Sequence, residues 1–232
     1  MRDAVVIPFD QDQTLVITSD NSGAIGMKEH DLVQVPYETV GYYSFRVAVM
    51  ECIAAKAMPI AVVLHNFCGD DPWDKLITGI QRGLRELHME NVTVTGSTES
   101  NFSLDQSAVG INVIGTRTMN DHVSREALQD KNVALIGLPL VGDEVISESD
   151  HIAPLSMCKA ISALNDVIVW PVGSKGVLNE LKRLFPGGDK ITGSSKIDLF
   201  KSGGPSTSFL VVYPSELEGE IMEIAGGYFN KL

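Results

Sequence analysis

The chain has 232 residues and a formal net charge of −12, from 30 acidic and 18 basic side chains. This charge excludes nucleic acid as an expected partner, because phosphates are repelled by a surface of the same sign. Hydrophobic residues make up 44% of the chain, enough for one large or two modest cores. Three cysteines without ligand spacing, and no apolar run near the ~20 residues of a membrane span, predict a soluble cytoplasmic protein without disulfides or zinc.

The first half alternates strand and helix patterns. Residues 4–9 and 14–19 are short β-rich runs joined by a polar turn, which predicts a hairpin. A helix is expected from Val40 to Met58, ended by Pro59 and followed by a strand over 60–65. A second helix follows.

The second helix begins after Asp71-Pro72, and its apolar residues recur at a spacing of three or four. Strands over 92–95 and 108–115 complete this half. The polar stretch 116–131 predicts a boundary between a domain of residues 1–118 and a domain of residues 130–232.

The second half also has a mixed pattern. Strands are predicted over 133–141, 167–172 and 209–213, and helices over 154–164, 176–185 and 215–225. The expected class is therefore α/β, in the sense of a mixed α+β protein.

Asp20 is the first candidate functional residue. It ends the apolar run 15–18 and begins a segment with Gly23, Gly26 and Lys28. A carboxylate beside a glycine loop suits metal binding and backbone approach to phosphate, with Lys28 as a charge clamp. An ordinary Asp-Asn-Ser-Gly turn is the alternative reading.

Glu51 is the only charged residue of the apolar segment 47–55. If it is ionised and buried, it needs a cation, because an unpaired buried charge costs several kcal/mol. A bound metal would satisfy it, and so would a pair with Arg46 or Lys56.

Glu99 follows the predicted strand 92–94 within Thr-Gly-Ser-Thr-Glu, so it is expected on a loop at a strand end, where ligand sites of α/β proteins lie. The alternative is an exposed loop without function. Carboxylates on several loops suit phosphoryl transfer, which needs metal ions and positioned donors more than covalent chemistry by the protein.

Several common motifs are absent from the sequence. No P-loop, dinucleotide-binding glycine motif or hydrolase nucleophile elbow occurs. The late glycine run 202–208 could present backbone N–H groups to an anion, although plain turns have the same composition.

Taken in order, these segments resemble the ATP-binding superfamily of aminoimidazole ribonucleotide synthetase, thiamine-monophosphate kinase and selenophosphate synthetase. Residues 2–7 are similar to the kinase motif Gly-Asp-Asp-Ala-Ala-Val, with Arg2 in place of the first aspartate, and residues 15–20 to the strand ending Thr-Thr-Asp. Residues 40–59 resemble the helix ending Ala-Met-Gly-Ala-x-Pro, and residues 95–99 the Gly-Gly-Asp/Glu-Thr loop.

The resemblance implies a two-domain PurM-like fold, in which the N-terminal sheet and helices pair with a second copy as a dimeric barrel and the C-terminal α/β domain is short. It implies Mg²⁺ and ATP as cofactors, with the phosphates between the two domains. The implied metal ligands are Asp3, Asp20, Glu51 and Glu99. The implied nucleotide-binding residues are these four with Gly23, Gly26, Gly96, Ser97 and Thr98, and the implied catalytic residues are Asp20, Lys28 and Glu99.

Within the superfamily, residues 21–26 and 95–102 look most like the α-ribazole kinases of cobalamin lower-ligand salvage. The first hypothesis is therefore a homodimeric kinase that phosphorylates a ribosyl or nucleoside-like small molecule. A ring-closing synthetase is the second hypothesis, since residues 20–28 also resemble Asp-Gly-Val-Gly-Thr-Lys of that enzyme. A non-catalytic nucleotide-sensing protein is the third.

Overall fold

The computed structural model describes residues 4–119, 131–184 and 197–232. The chain divides into two compact units, 1–121 and 122–232, where the sequence analysis drew its boundary between 118 and 130. No helix in the described ranges is long and apolar enough to span a membrane. The predicted metal ligand Asp3 lies outside the described residues.

The first unit is a mixed five-stranded sheet with two helices on one face. Its strands and helices, in chain order, are β1 (Val5–Pro8), β2 (Gln13–Gly23), β3 (Ile25–Gly26), β4 (Val33–Gln34), α1 (Tyr37–Ala54), β5 (Met58–Asn66), α2 (Trp73–Glu86), β6 (Thr93–Thr98) and β7 (Ala108–Thr118). The sheet order is β1-β2-β7-β5-β6, and β3 and β4 form a small separate pair. The predicted β1–β2 hairpin is confirmed, with Val5 opposite Ile17.

Helix α1 ends four residues before its predicted end. It stops at Ala54, and Lys56 has a positive φ of 59°, which ends the helical path. Met58 and Pro59 belong to β5 instead. Pro59 was read as the stop signal, but a proline is also tolerated near the first residue of a strand, and that reading was wrong about the boundary.

Helix α1 lies between the sheet and α2, so residues on all its sides are buried, whereas α2 buries only one stripe. The two helices approach closely at glycines. A Cβ on Gly79 would overlap the carbonyl oxygen of Glu38, and a Cβ on Gly41 would overlap that of Leu76. These glycines set the distance between the helices.

The second unit has a four-stranded antiparallel sheet. Its elements are β8 (Asn132–Ile136), α3 (Glu144–Ser147), α4 (Leu155–Ser162), β9 (Ile168–Pro171), α5 (Gly176–Leu184), β10 (Phe209–Tyr213), α6 (Glu218–Ala225) and β11 (Phe229–Lys231). The order is β11-β8-β10-β9. The strand predicted over 133–141 ends at Ile136 because Gly137 turns the chain with a φ of 77°.

Gly79→Ala tests the close approach of α1 and α2. The added Cβ must push the helices apart, and overpacking of this kind costs about 1–3 kcal/mol. Urea unfolding followed by tryptophan fluorescence measures the loss, with Trp73 at the start of α2 as a reporter. Gly219→Ala is the control, because its Cβ would meet open space in helix α6. Equal stability of both variants would show that the contact does not limit packing.

Candidate functional site

Most candidate residues of the first unit lie near one end of its sheet, and Glu51 is the exception. Strands β2, β5 and β6 end there and β7 begins there, because the register aligns Ser22, Val109, Asn66 and Thr98 in one row across the sheet. The loops 24–36, 67–72 and 99–107 therefore emerge from the same edge. Loops at strand ends are the usual position of ligand sites in proteins with such sheets.

Asp20 lies inside strand β2 rather than at its end. It pairs with Ile111, and the strand continues to Gly23. The expectation of a glycine loop beginning at residue 21 was therefore wrong: this backbone pairs with β7, and the loop begins only after Gly23.

The Asp20 side chain is partly buried on the helix-bearing face of the sheet, since Thr18 on the same face donates a hydrogen bond of 2.7 Å to the Ala48 carbonyl of α1. Burial raises the pKa of the Asp20 carboxyl to about 6, and a hydrogen bond with the Asn21 backbone lowers it by a smaller amount. A nearby cation would favour the ionised form of this carboxyl.

Lys28 and Gly26 lie on the loop that follows β2. The Lys28 ammonium donates a hydrogen bond of 2.6 Å to the Leu104 carbonyl oxygen, which ties its loop to the loop 99–107. Gly26 is required by close packing, because a Cβ there would lie 2.8 Å from the Cβ of Ser107. Gly23 faces open space instead.

Glu51 is buried in α1, as expected, with 5% of its surface exposed. Helix α1 runs antiparallel to β2, because Ala48 lies beside Thr18 while Cys52 lies over Gly115, the partner of Val16. Glu51 and Asp20 are thus on opposite sides of the Thr18–Ala48 hydrogen bond. Helical and strand rises place them about 10 Å apart along the sheet.

Glu99 lies just outside β6, on the loop that the sequence predicted. Its backbone N–H donates to the Asn66 carbonyl at 2.8 Å, and its Oε1 accepts hydrogen bonds from the N–H groups of Asn101 at 2.7 Å and Phe102 at 3.2 Å. The carboxylate thus shapes its own turn.

Gly96, Ser97 and Thr98 are strand residues paired with β5, not loop residues. A Cβ on Gly96 would overlap the Leu64 carbonyl, so the glycine permits close strand packing. Thr98 Oγ1 accepts a hydrogen bond of 3.0 Å from Asn66 Nδ2.

The three described carboxylates occupy separate positions in one chain. Asp20 and Gly96 share a row of the sheet with two strands between them, and three interstrand spacings of ~4.8 Å amount to about 14 Å. Glu99 lies beyond Gly96. Within residues 4–119, 131–184 and 197–232, no three His, Cys, Asp or Glu side chains are grouped to hold a metal ion. Asp20, Glu51 and Glu99 therefore do not fit a single shared ion.

Comparison with known proteins gives the family. The profile of the AIR synthase related protein, N-terminal domain, matches residues 1–117, which is half of the chain. The chain belongs to the AIR synthase-related family. No curated protein matches the sequence.

Alignments with similar solved structures include both units of the chain. The structure of hydrogenase maturation protein HypE in complex with ATP is 11% identical in sequence to this chain. The alignment covers 93% of this chain and 75% of the HypE chain, with a TM-score of 0.61. Thiamine-monophosphate kinase from Stenotrophomonas maltophilia is 12% identical, and the alignment covers 99% of this chain and 87% of the kinase chain with a TM-score of 0.62. Phosphoribosylformylglycinamidine synthase II from Thermotoga maritima is 15% identical, and the alignment covers 97% of this chain and 40% of the synthase chain with a TM-score of 0.64.

These likenesses show that the AIR synthase-related chain has the mixed α/β, PurM-like fold. The similar structures include a kinase and a synthase, and at 12% and 15% identity these likenesses show the fold alone.

A buried polar network that was not predicted from the sequence joins the Lys28 loop to Ser107 in this family member. The Asp31 carboxylate, 8% exposed, accepts hydrogen bonds from the backbone N–H and the hydroxyl of Ser107, which is 1% exposed, and from the backbone N–H of Lys28. Asp31 lies in a polar run with Glu29 and His30, and nothing in the run distinguishes it from an exposed turn residue.

A second missed network lies on the sheet face without helices. Ser19 Oγ donates to Asn112 Oδ1 at 2.5 Å, and Asn112 Nδ2 lies 3.0 Å from His65 Nε2. Its signal was present in the sequence: each of the three polar residues follows or interrupts an apolar strand.

Asp20→Asn tests the electrostatic state of the site. The folded-state pKa of about 6 exceeds the ordinary 3.8, so stability is full below pH ~4 and is lost as the pH rises through 6. Without ligand, Asp20→Asn should therefore stabilise the protein at pH 8 by about 1–3 kcal/mol and have no effect on stability at pH 4. Chemical denaturation at both pH values measures this. Asp12→Asn, at an exposed position, is the control. Equal effects of Asp20→Asn on stability at pH 4 and at pH 8 would contradict the raised pKa of Asp20.

Proposed function

We propose that this protein is an ATP-dependent kinase that transfers a phosphoryl group to a ribosyl or nucleoside-like small molecule, with α-ribazole as the best candidate acceptor. The observation that carries the proposal is the match of residues 1–117 to the AIR synthase-related domain, joined to the likeness to HypE in complex with ATP and to thiamine-monophosphate kinase. The loop edge of the first unit supplies the candidate groups.

Lys28 is the proposed cationic group for the nucleotide phosphates. Its ammonium donates a hydrogen bond to the Leu104 carbonyl oxygen, and a phosphate oxygen would replace that neutral acceptor. The Leu104 carbonyl oxygen carries only a partial negative charge, whereas a phosphate oxygen carries a formal charge, so the ammonium is attracted more strongly to the phosphate. The exchange therefore favours the anion.

Mg²⁺ would neutralise charge on the ATP phosphates. Mg²⁺ in such sites is held by one or two carboxylates together with the phosphates of the substrate. Because Asp20, Glu51 and Glu99 cannot reach one ion within a chain, the proposal assigns at most one of the three to an ion that the nucleotide brings with it.

Glu99 is the proposed carboxylate on the nucleotide side, with Gly96, Ser97 and Thr98 as its strand support. Its Oε1 is engaged by two backbone N–H groups, which fixes the orientation of the carboxylate. Phosphoryl transfer depends chiefly on positioned charge, so an oriented carboxylate suits it.

Two other functions each have an observation in their favour. A ring-closing synthetase is favoured by the match of residues 1–117 to the N-terminal domain of AIR synthase related proteins. A nucleotide-sensing role is favoured by the separation of the carboxylates. Separate incubations of Mg-ATP with α-ribazole and with the ring-closing substrate of aminoimidazole ribonucleotide synthetase distinguish them: a kinase yields phosphorylated α-ribazole in the first, a synthetase releases phosphate in the second, and a sensor turns over neither while still binding nucleotide.

Mg-ATP should raise the melting temperature of the wild-type protein, and EDTA should remove the rise. A ligand at a hundredfold excess over its Kd stabilises the folded state by about 2.7 kcal/mol. Glu99→Gln should abolish the rise while leaving the nucleotide-free melting temperature nearly unchanged, because the amide oxygen still accepts the turn hydrogen bonds.

Glu90→Gln is the matched control, since Glu90 is exposed on the same unit. A nucleotide-dependent rise in Glu99→Gln equal to that of the wild type would remove Glu99 from the site. Absence of any rise in the wild type at millimolar Mg-ATP would reject nucleotide binding itself.

We further propose that a second copy of the chain covers the sheet face opposite α1 and α2. That face carries large apolar side chains that are exposed in one chain, including Val5 at 57%, Ile7 at 44% and Met58 at 56%. Contiguous exposed apolar surface of this kind marks an interaction site. This is the homodimer that the resemblance predicts.

The double variant Ile7→Glu/Met58→Glu should be monomeric, because two charges on each copy would be buried without partners. Sedimentation velocity measures the state of association. Ile146→Glu/Met222→Glu is the matched control, as both side chains are exposed apolar residues of the second unit. A monomeric wild type, or a dimer that survives the first double variant, would contradict the proposal.

A further inference from the structure

The Asp31 carboxylate accepts three hydrogen bonds near the candidate site. Its Oδ2 accepts hydrogen bonds from the Lys28 N–H at 2.8 Å and from Ser107 Oγ at 2.7 Å, while its Oδ1 accepts one from the Ser107 N–H at 2.7 Å. The residue is 8% exposed. A buried carboxylate with three donors is stabilised by its surroundings and does not require a cation.

The network around Asp31 joins three segments of the first unit. Ser107 precedes strand β7, and its hydroxyl lies 2.9 Å from the hydroxyl of Tyr37, the first residue of α1. The Ala24 N–H also donates to the Ser107 carbonyl at 2.8 Å. The loop that carries Lys28 is thus tied to the start of α1 and to the segment before β7.

Two side chains also join the loop 24–36 to the loop 99–107, each by a hydrogen bond to a backbone carbonyl of the other loop. The Lys28 ammonium bonds the Leu104 carbonyl at 2.6 Å, and Gln106 Nε2 donates to the His30 carbonyl at 2.7 Å. Gly26 leaves no room for a Cβ, which would lie 2.9 Å from Asp31 Oδ2. The backbone of Lys28 is therefore fixed by Asp31, while its side chain is held only at its end.

We propose that Asp31 is a positioning residue that fixes the Lys28 backbone against Ser107, so that the Lys28 ammonium can reach an anionic phosphate without reorganising its loop. This deepens the proposed function and rests on it for the identity of the anion. Asp31 itself does not contact the nucleotide. Its contribution is to remove the ordering cost that a free loop would impose on binding.

Asp31→Asn is the sharpest variant because it keeps the shape and removes the charge. The amide has one oxygen and one donor nitrogen in place of two acceptor oxygens, so at least one of the three donors faces another donor. Asp105→Asn is the matched control, being an exposed aspartate on the adjacent loop. If Asp31→Asn does not fold, Ser107→Ala is the milder variant that removes only the hydroxyl bonds.

The first experiment is amide hydrogen exchange on the nucleotide-free protein. Asp31→Asn should speed exchange at the Lys28 amide by about tenfold or more, because the amide loses a hydrogen bond to a charged acceptor. Asp105→Asn should leave it unchanged. Unchanged exchange at Lys28 in Asp31→Asn would overturn the positioning role, and this result does not depend on whether the protein binds ATP.

The second experiment is a double-mutant cycle on Mg-ATP affinity, measured calorimetrically well below the melting temperature. Asp31→Asn should weaken binding about tenfold when Lys28 is present and less than twofold when Lys28 is replaced by Met, because residues that act through one another are not additive. Equal weakening in both backgrounds would show a merely structural role and overturn the proposal. Failure of the wild type to bind Mg-ATP would reject the proposed function, while the exchange result would still decide the positioning of Lys28.

Discussion

Strand β7 hydrogen-bonds along its length to β2 on one side and to β5 on the other. This double ladder brings the end of β2, the end of β5 and the start of β7 to one edge of the sheet. Because β6 is parallel to β5, its end lies at the same edge, and Glu99 emerges there. Every candidate loop of the first unit therefore depends on the pairing of one central strand. A register shift of one residue in β7 would turn Ile111 and Val113 from the helix-covered face to the open face.

The same ladder also explains why the candidate carboxylates are apart. Asp20 is held within β2, Glu51 within the last turn of α1, and Glu99 on a loop three strands from β2. A resemblance aligns residues along the chain and says which segments correspond. It does not say which side chains meet, because that depends on strand order and on the direction of α1, and both become visible only in three dimensions. The metal ligands were therefore predicted as a set, whereas one chain brings no three of the described carboxylates together.

Much of the fold could be predicted from the residues alone. Helix α2, with apolar residues at every third or fourth position, and β10, a continuous apolar run, were expected close to where they lie. The predicted ends of helices and strands were wrong where one residue type occurs in two kinds of local structure. Pro59 was read as a helix stop although Lys56 already ends the helix, and Asn-Ser-Gly after Asp20 was read as a glycine loop or an ordinary turn although the ladder with β7 continues through it. Local turn preference was overridden by long-range pairing in that segment. The Asp31 network was invisible for a related reason: its partner Ser107 lies 76 residues away.

The protein is acidic, with a net charge of −12, yet Lys28 at the loop edge is held by the carbonyl oxygen of Leu104 rather than by a carboxylate. A carbonyl offers hydrogen bonding without cancelling the charge of the ammonium. If an acidic side chain occupied the place of Leu104, an incoming phosphate would have to displace a charged partner, and the desolvated carboxylate would repel it. With a neutral acceptor the ammonium keeps its charge for the anion, and the backbone of its loop is already ordered by Asp31. The local arrangement therefore favours an anionic ligand at an edge of a molecule whose overall field opposes one, since short-range contacts at a partly buried group outweigh the screened charge of a distant surface.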